Sequence, residues 1–335
     1  MNAPGPTDST RILPFGDAAI AEAAAFIKAR AVVAVASETV YGLAADATEP
    51  VAVAEIYAAK GRPAFNPLIV HVLDLHMAHR LGEFDSRAEA LAAAFWPGPL
   101  TLVVPRRAGS GIAAITTAGL DTIAIRIPAH RAMRALIETS GRPLAAPSAN
   151  RSGAISPTRA EHVLSSLGGR IPLIVDDGPC EQGVESTIVH EVDGATRVLR
   201  HGPIGVNALL ATIQQGAGEH WQAIPGVERF DPGLSGFEMR IEAPGQLASH
   251  YAPSKPIRIN AIHAEPDEWM IGFGPIFGDA SLSRTGDVKE AAARLFDLLH
   301  QADASGKARI AVAPVPGEGV GTAINDRLRR AAHPR

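Results

Sequence analysis

Short apolar runs alternate with alanine-rich stretches of helical spacing through most of this chain. That alternation restricts the fold class to α/β. Ala31–Ala36, Pro67–Leu73, Leu100–Val104, Thr122–Ile127, a run near Leu144 and Leu173–Asp176 have the length of buried strands. Between them, Asp17–Arg30, Glu49–Lys60, Ser86–Phe95, Arg131–Thr139, Thr158–Leu167 and Val206–Gln215 read as helices. Asp17 is placed as the N-cap of the first helix, and Gly61 as the stop of the second. The breaker Trp96-Pro97-Gly98-Pro99 ends the third. Ser186–His190 and Thr196–Arg200 flank a short Gly-containing turn, which predicts an antiparallel pair and so a mixed sheet.

The pattern then breaks. Residues 216–255 contain ten Gly or Pro in forty positions and no sustained period, the composition of a linker or lid. Beyond it, Pro256–Asn260, Trp269–Phe273 and Arg309–Ala313 read as strands, and Asp287–Gln301 and Ala323–Ala332 as helices. The chain therefore divides into a flexible N-terminal tail at 1–14, a first domain at 15–215, the linker at 216–255 and a smaller C-terminal α/β domain at 256–335. A length of 335 residues fits two domains.

Composition removes several function classes. The net charge is −4 and there is no Lys/Arg block, so a broad nucleic-acid face is not indicated, while a local basic groove stays open. Cys180 is the only cysteine, which rules out intramolecular disulfides and cysteine zinc sites and points to a cytoplasmic setting. No apolar run is long enough for a membrane span, and residues 1–10 do not read as a signal peptide.

Four polar segments interrupt the strands. Ser37-Glu38-Thr39-Val40-Tyr41-Gly42-Leu43 follows the first strand, where ligands of open α/β sheets bind. Its alternative is an ordinary polar loop. Lys60 to His71 places Lys60, Arg62 and Asn66 before a strand carrying His71. Such cations either hold an anion or form a solvated helix end, and a lone strand His is most often a core residue. Arg126 sits on the apolar strand Thr122–Ile127, so it needs an anion, either a protein carboxylate or a ligand. Ala145-Ala146-Pro147-Ser148-Ala149-Asn150-Arg151-Ser152-Gly153 continues to Ser156-Pro157-Thr158, a run of small donors and backbone amides suited to an anion nest. Glu185-Ser186-Thr187 and Arg200 add polar positions beside short strands.

There is no phosphate-binding P-loop, no dinucleotide fingerprint and no Gly-x-Ser-x-Gly around Ser148. The late Gly317-x-Gly319-x-Gly321 marks a turn. His76 and His79 read as surface helix residues, and no metal-ligand set is assigned.

In their order, these segments resemble the YrdC-like family, in the long two-domain form of the L-threonylcarbamoyladenylate synthases. The resemblance rests on Thr39-Val40-Tyr41-Gly42-Leu43, Lys60-x-Arg62-Pro63, Asn66-Pro67-Leu68-x-Val70-His71 and Trp96-Pro97-Gly98-Pro99-Leu100-Thr101. It continues through Arg126-x-Pro128, Pro147-Ser148-Ala149-Asn150, Ser156-Pro157-Thr158 and Glu185-Ser186-Thr187-Ile188. His250-Tyr251-Ala252-Pro253 and Ala323-Ile324-Asn325-Asp326-Arg327-Leu328 resemble the long form's linker end and second domain. Each motif is weak alone; the ordered set is specific.

The resemblance implies a twisted mixed sheet with helices around a concave cavity. It also implies a reaction: L-threonine, bicarbonate and ATP give threonylcarbamoyl-AMP and pyrophosphate, and the product enters N6-threonylcarbamoyladenosine formation in tRNA. By family analogy Thr39, His71, Arg126 and Ser186 contact threonine. Arg62, Asn66, Thr122, Ala146, Ser148, Ser156, Arg200 and Tyr251 contact ATP, which carries Mg2+ on its phosphates. Lys60 and Arg62 are the catalytic cations, and Tyr41 and Asn150 line the same cavity. The implied partners are the tRNA threonylcarbamoyl-transfer machinery and, weakly, tRNA itself. A YrdC-like module that only binds RNA is the alternative reading. The related carbamoyladenylate chemistry of hydrogenase maturation comes with a cysteine-rich zinc module, which one cysteine excludes. The family linker carries a basic, Met-containing run before His-Tyr-Ala-Pro; here it reads Pro244-Gly245-Gln246-Leu247-Ala248-Ser249. The linker is expected to close over the cavity as a lid.

Overall fold

A computed structural model of the chain describes residues 9–192, 195–216, 228–229, 243–244 and 250–333. The first domain begins with β1 (Arg11–Pro14), α1 (Asp17–Lys28), β2 (Val33–Val35), β3 (Gly42–Asp46), α2 (Pro50–Lys60) and β4 (Ile69–His71). It continues through α3 (Leu75–Leu81), α4 (Ser86–Phe95), β5 (Leu100–Pro105), β6 (Thr122–Arg126), α5 (Arg131–Ser140) and β7 (Leu144–Ala145). It closes with α6 (Ala160–Leu167), β8 (Leu173–Asp176), β9 (Thr187–Val192), β10 (Ala195–Arg200) and α7 (Val206–Gly216). A short β11 (Glu228–Arg229) follows. The second domain holds β12 (Ile257–Ile259), β13 (Glu268–Gly272), β14 (Ala280–Ser281), α8 (Val288–Ala304), β15 (Arg309–Val312) and α9 (Gly321–Ala331).

Among the described residues the first sheet has eleven strands, ordered β1-β8-β2-β3-β7-β4-β6-β5-β9-β10-β11. It is mixed: β4 and β6 run parallel, whereas β5 and β6, and β9 and β10, run antiparallel. The second sheet, β12-β15-β13-β14, is parallel throughout. Helices cover both faces of the first sheet. One core joins α2, α4 and α6 to Leu43, Val70, Ile123 and Ile125. The other packs α1 and α5 on Val33, Val35, Leu144 and Val175.

The period of two along the strands explains how polar groups reach this interior. In β4, Val70 enters the first core while its neighbours Ile69 and His71 face a cavity. In β6, Ile123 and Ile125 enter the core and Arg126 faces the same cavity. His71 is registered directly against Arg126.

The two domains share apolar packing. Val40, Ile155 and Val184 of the first domain join the core built on α8 and α9. Gly183, at φ +65°, lets α8 approach so closely that a Cβ there would lie 2.2 Å from the Ala292 carbonyl.

Three expectations change. Residues 11–14 belong to the sheet, because Arg11 to Pro14 pair with Leu173 to Asp176. The N-cap of α1 is Gly16, and Asp17 is the first helical residue, where its charge favours the helix dipole without a capping bond. The strand β3 lies in a stretch assigned no element; it is fixed by partners on both edges, β2 and β7. Gly61 does stop α2, in the left-handed conformation. Of the expected lid at 216–255, only 216, β11, Ala243, Pro244 and 250–255 are described, and the rest lies outside the described residues.

Candidate active site

Ser37, Thr39 and Val40 after β2, the turn Ala146–Ser148, His71, Arg126 and Ser186 line one cavity of ≈ 560 Å³ of non-protein space, open solvent included. Arg62, Glu185, Arg200, Pro244, His250 and Tyr251 complete its wall. The linker end and the first domain therefore meet across a single chamber.

One half of the chamber is organised by Arg126. Its Nη1 donates to Thr39 Oγ1 at 3.0 Å, and its Nε donates to the Gly98 carbonyl at 3.2 Å. Its Nη2 lies 2.7 Å from Glu38 Oε1, and both side chains are almost wholly buried. Of the two alternatives for Arg126, a protein carboxylate is thus present, and the guanidinium still faces the cavity. Burial alone would raise the Glu38 carboxyl, but the Arg126 charge and the Ala129 amide outweigh it and hold it at about 2. Burial, followed by the Arg126 charge, pushes His71 down to about 3, so the imidazole is neutral near pH 7. Its Nδ1 has no hydrogen-bond partner among the described residues.

The other half is cationic. Arg200 donates from Nε and Nη2 to the backbone carbonyl and Oγ of Ser186, each at 3.0 Å. The Ser186 hydroxyl is also 2.7 Å from Thr101 Oγ1. Arg62 donates to the carbonyls of Pro67 at 3.1 Å and Asn66 at 3.4 Å. Neither Arg62 nor Arg200 forms an ion pair with a carboxylate among the described residues, although both are buried. Burial lowers Arg62 to about 10 and lowers Arg200 as well; both remain guanidinium ions near neutrality. His250 is pushed well below the usual imidazole range by burial and by the neighbouring Arg62, Lys60, Arg200 and Arg327. A buried region with this surplus of positive charge is built for an anion. The Tyr251 hydroxyl, also buried in this wall, has no hydrogen-bond partner among the described residues.

Nine predicted residues line the chamber: Thr39, Arg62, His71, Arg126, Ala146, Ser148, Ser186, Arg200 and Tyr251. Six do not. Lys60 is buried and donates from Nζ to the carbonyls of Ser148 and Asn150, each at 2.5 Å, holding the turn from behind. It is neither a solvated helix end nor a cavity cation. Asn150 donates to the Arg151 and Ala154 carbonyls within its own loop. Ser156 donates to Glu185 Oε1 at 2.5 Å, one shell behind the wall. The Tyr41 hydroxyl turns away to Asp176 Oδ1 at 2.7 Å. Asn66 is buried beside Arg62, which its carbonyl accepts from. Thr122 shares a strand face with Arg126 but stands at the opposite end of β6, about 13 Å away at the usual strand rise.

Glu38, His250 and Arg327 were not assigned roles from the residues alone. Glu38 lay within a recognised motif, but its partner Arg126 is far along the chain, and no local pattern links them. Among the described residues no cluster of three or more His, Cys, Asp or Glu could hold a metal ion. No helix there is long and apolar enough to cross a membrane. His79 lies 2.8 Å from Glu89 at the surface.

The family described as "Telomere recombination" matches residues 25–202, and "Threonylcarbamoyl-AMP synthase, C-terminal domain" matches residues 212–333. Threonylcarbamoyl-AMP synthase of Bacillus subtilis is 39% identical, over 97% of this chain and 96% of its own length. That of Pyrococcus abyssi is 38% identical, over 92% of this chain and 93% of its own. The crystal structure of P. abyssi Sua5 complexed with L-threonine superposes with a TM-score of 0.84 at 36% identity, covering 96% of this chain and 98% of that one. With both domains matched in order and relatives aligned from end to end, the chain belongs to the threonylcarbamoyl-AMP synthase family.

Proposed function

We propose that the chamber joins L-threonine, bicarbonate and ATP into threonylcarbamoyl-AMP, releasing pyrophosphate, with threonine in the Arg126 half and the nucleotide in the Arg62–Arg200 half. The observation that carries this division is the pair of buried guanidiniums, Arg62 and Arg200, whose hydrogen-bond partners among the described residues are all neutral. A polyphosphate supplies the missing negative charge. In the other half Arg126 is already balanced by Glu38, which suits one carboxylate rather than several phosphates.

In this reading the threonine carboxylate lies at Arg126, and Thr39 and Ser186 offer hydroxyls to the amino acid. Neutral His71 can take part in hydrogen bonding without adding charge. The amine and bicarbonate combine to a carbamate with loss of water. A carbamate oxygen attacks the α-phosphorus in line, the bond to the β-phosphate oxygen breaks, and pyrophosphate leaves. Negative charge develops on the phosphoryl oxygens, and in this reading Arg62 and Arg200 stabilise it. No protein nucleophile is needed.

The residues present do not make a magnesium seat. Glu185, which lines the wall, and Glu38, next in sequence to the lining residues Ser37 and Thr39, are each bound to an arginine. Magnesium would arrive on the triphosphate as part of the substrate. The mixed anhydride is reactive, so it passes to an acceptor machinery acting on tRNA. The test is incorporation of labelled bicarbonate into an adenylate whose mass includes threonine. An unlabelled adenylate, or none, would refute the proposal.

A further inference from the structure

The second domain meets the cavity wall through apolar packing, such as Phe296 on the Tyr251 ring, and through one charged side chain, Arg327. Arg327, on α9, is fully buried, and its Nε donates to Glu185 Oε2 at 3.0 Å. Its Nη1 donates to Asp326 at 3.0 Å, and its guanidinium carbon stands 5.2 Å from the Tyr251 ring centroid. Glu185 lines the chamber, next in sequence to Ser186, which holds Arg200. Its second oxygen accepts from Ser156. Each carboxylate oxygen thus accepts a hydrogen bond from a group other than Arg62 or Arg200.

That arrangement solves a charge problem. Glu185 is a buried carboxylate within electrostatic reach of Arg200 and Lys60. Left alone, it would neutralise the cations that face the cavity, or repel a polyphosphate brought to them. Resting on the proposed ATP site, we infer that Arg327 is a positioning residue of the second domain: it sequesters Glu185 so that Arg62 and Arg200 stay available to the triphosphate. The C-terminal domain therefore contributes to nucleotide affinity through an inter-domain ion pair, without touching the nucleotide.

The inference is tested in the full-length protein by steady-state pyrophosphate release, with ATP and threonine varied separately. Arg327→Met should raise the KM for ATP by about tenfold or more while moving the KM for threonine less than about twofold. Arg327→Met combined with Glu185→Gln should bring the ATP KM back to within about threefold of the parent, since the orphaned charge is gone. A purely structural role would depress kcat, or both KM values alike, and would not be rescued by Glu185→Gln; either result overturns the inference. If Arg327→Met alone does not fold, the double variant decides: an ATP KM raised tenfold contradicts charge sequestration. A parent enzyme that releases no pyrophosphate from ATP would overturn the functional reading itself, and this inference with it.

Discussion

Glu38 and Arg126 form a buried ion pair, 2.7 Å apart, at the half of the chamber proposed for threonine. Glu38 also accepts from the backbone amides of Ala129 and His130, at the start of α5. One carboxylate therefore ties the β2–β3 loop, strand β6 and a helix entrance together.

This pair and His71 set an acid limit on stability. Folding holds Glu38 at about 2 instead of 4.5, and His71 at about 3 instead of 6.5. Between those values the unfolded chain binds more protons than the folded one. Both contributions are complete above about pH 6.5 and fade as the pH falls toward 3. Glu38→Gln should lower stability at pH 7 by roughly 3 kcal/mol, and the gap to the parent should shrink below pH 4. A gap in Tm that is the same at pH 7 and pH 3.5 would show that the ion pair is not its source.

Substrate use should divide along the chamber. Arg62→Ala is expected to raise the KM for ATP about tenfold or more, and His71→Ala to raise mainly that for threonine. If the two variants weaken the same substrate to the same degree, the division between halves is wrong.

Lys60 should act on the fold. Its two carbonyl acceptors would be left unpaired in Lys60→Met, a loss of about 2–4 kcal/mol. Thermal unfolding checks this: a Tm equal to the parent's, with turnover lost, would return Lys60 to direct catalysis.

Tyr251 should act on the nucleotide. Because its buried hydroxyl has no hydrogen-bond partner among the described residues, Tyr251→Phe should leave Tm unchanged and weaken ATP use. A large drop in Tm would mean that the hydroxyl holds the fold.

Much of this was legible in sequence because the signals were local. An arginine inside an apolar strand must meet an anion, and Arg126 meets the Glu38 carboxylate. The strand and helix periods located β4, β6, α2 and α4 closely. What escaped depended on distant partners. Glu185 and Arg327 are 142 residues apart and belong to different domains. Gly42–Asp46 has little β-branched content, so its strand character comes from being sandwiched between β2 and β7. Lys60 looked like a site cation because its spacing to Arg62 is short. Only the buried carbonyls of Ser148 and Asn150 reveal that its charge is already spent.

The most direct measurement of the central claim is pyrophosphate release from ATP, with threonine and bicarbonate each omitted in turn. The account predicts release only when all three are present. Release that persists without threonine would contradict it.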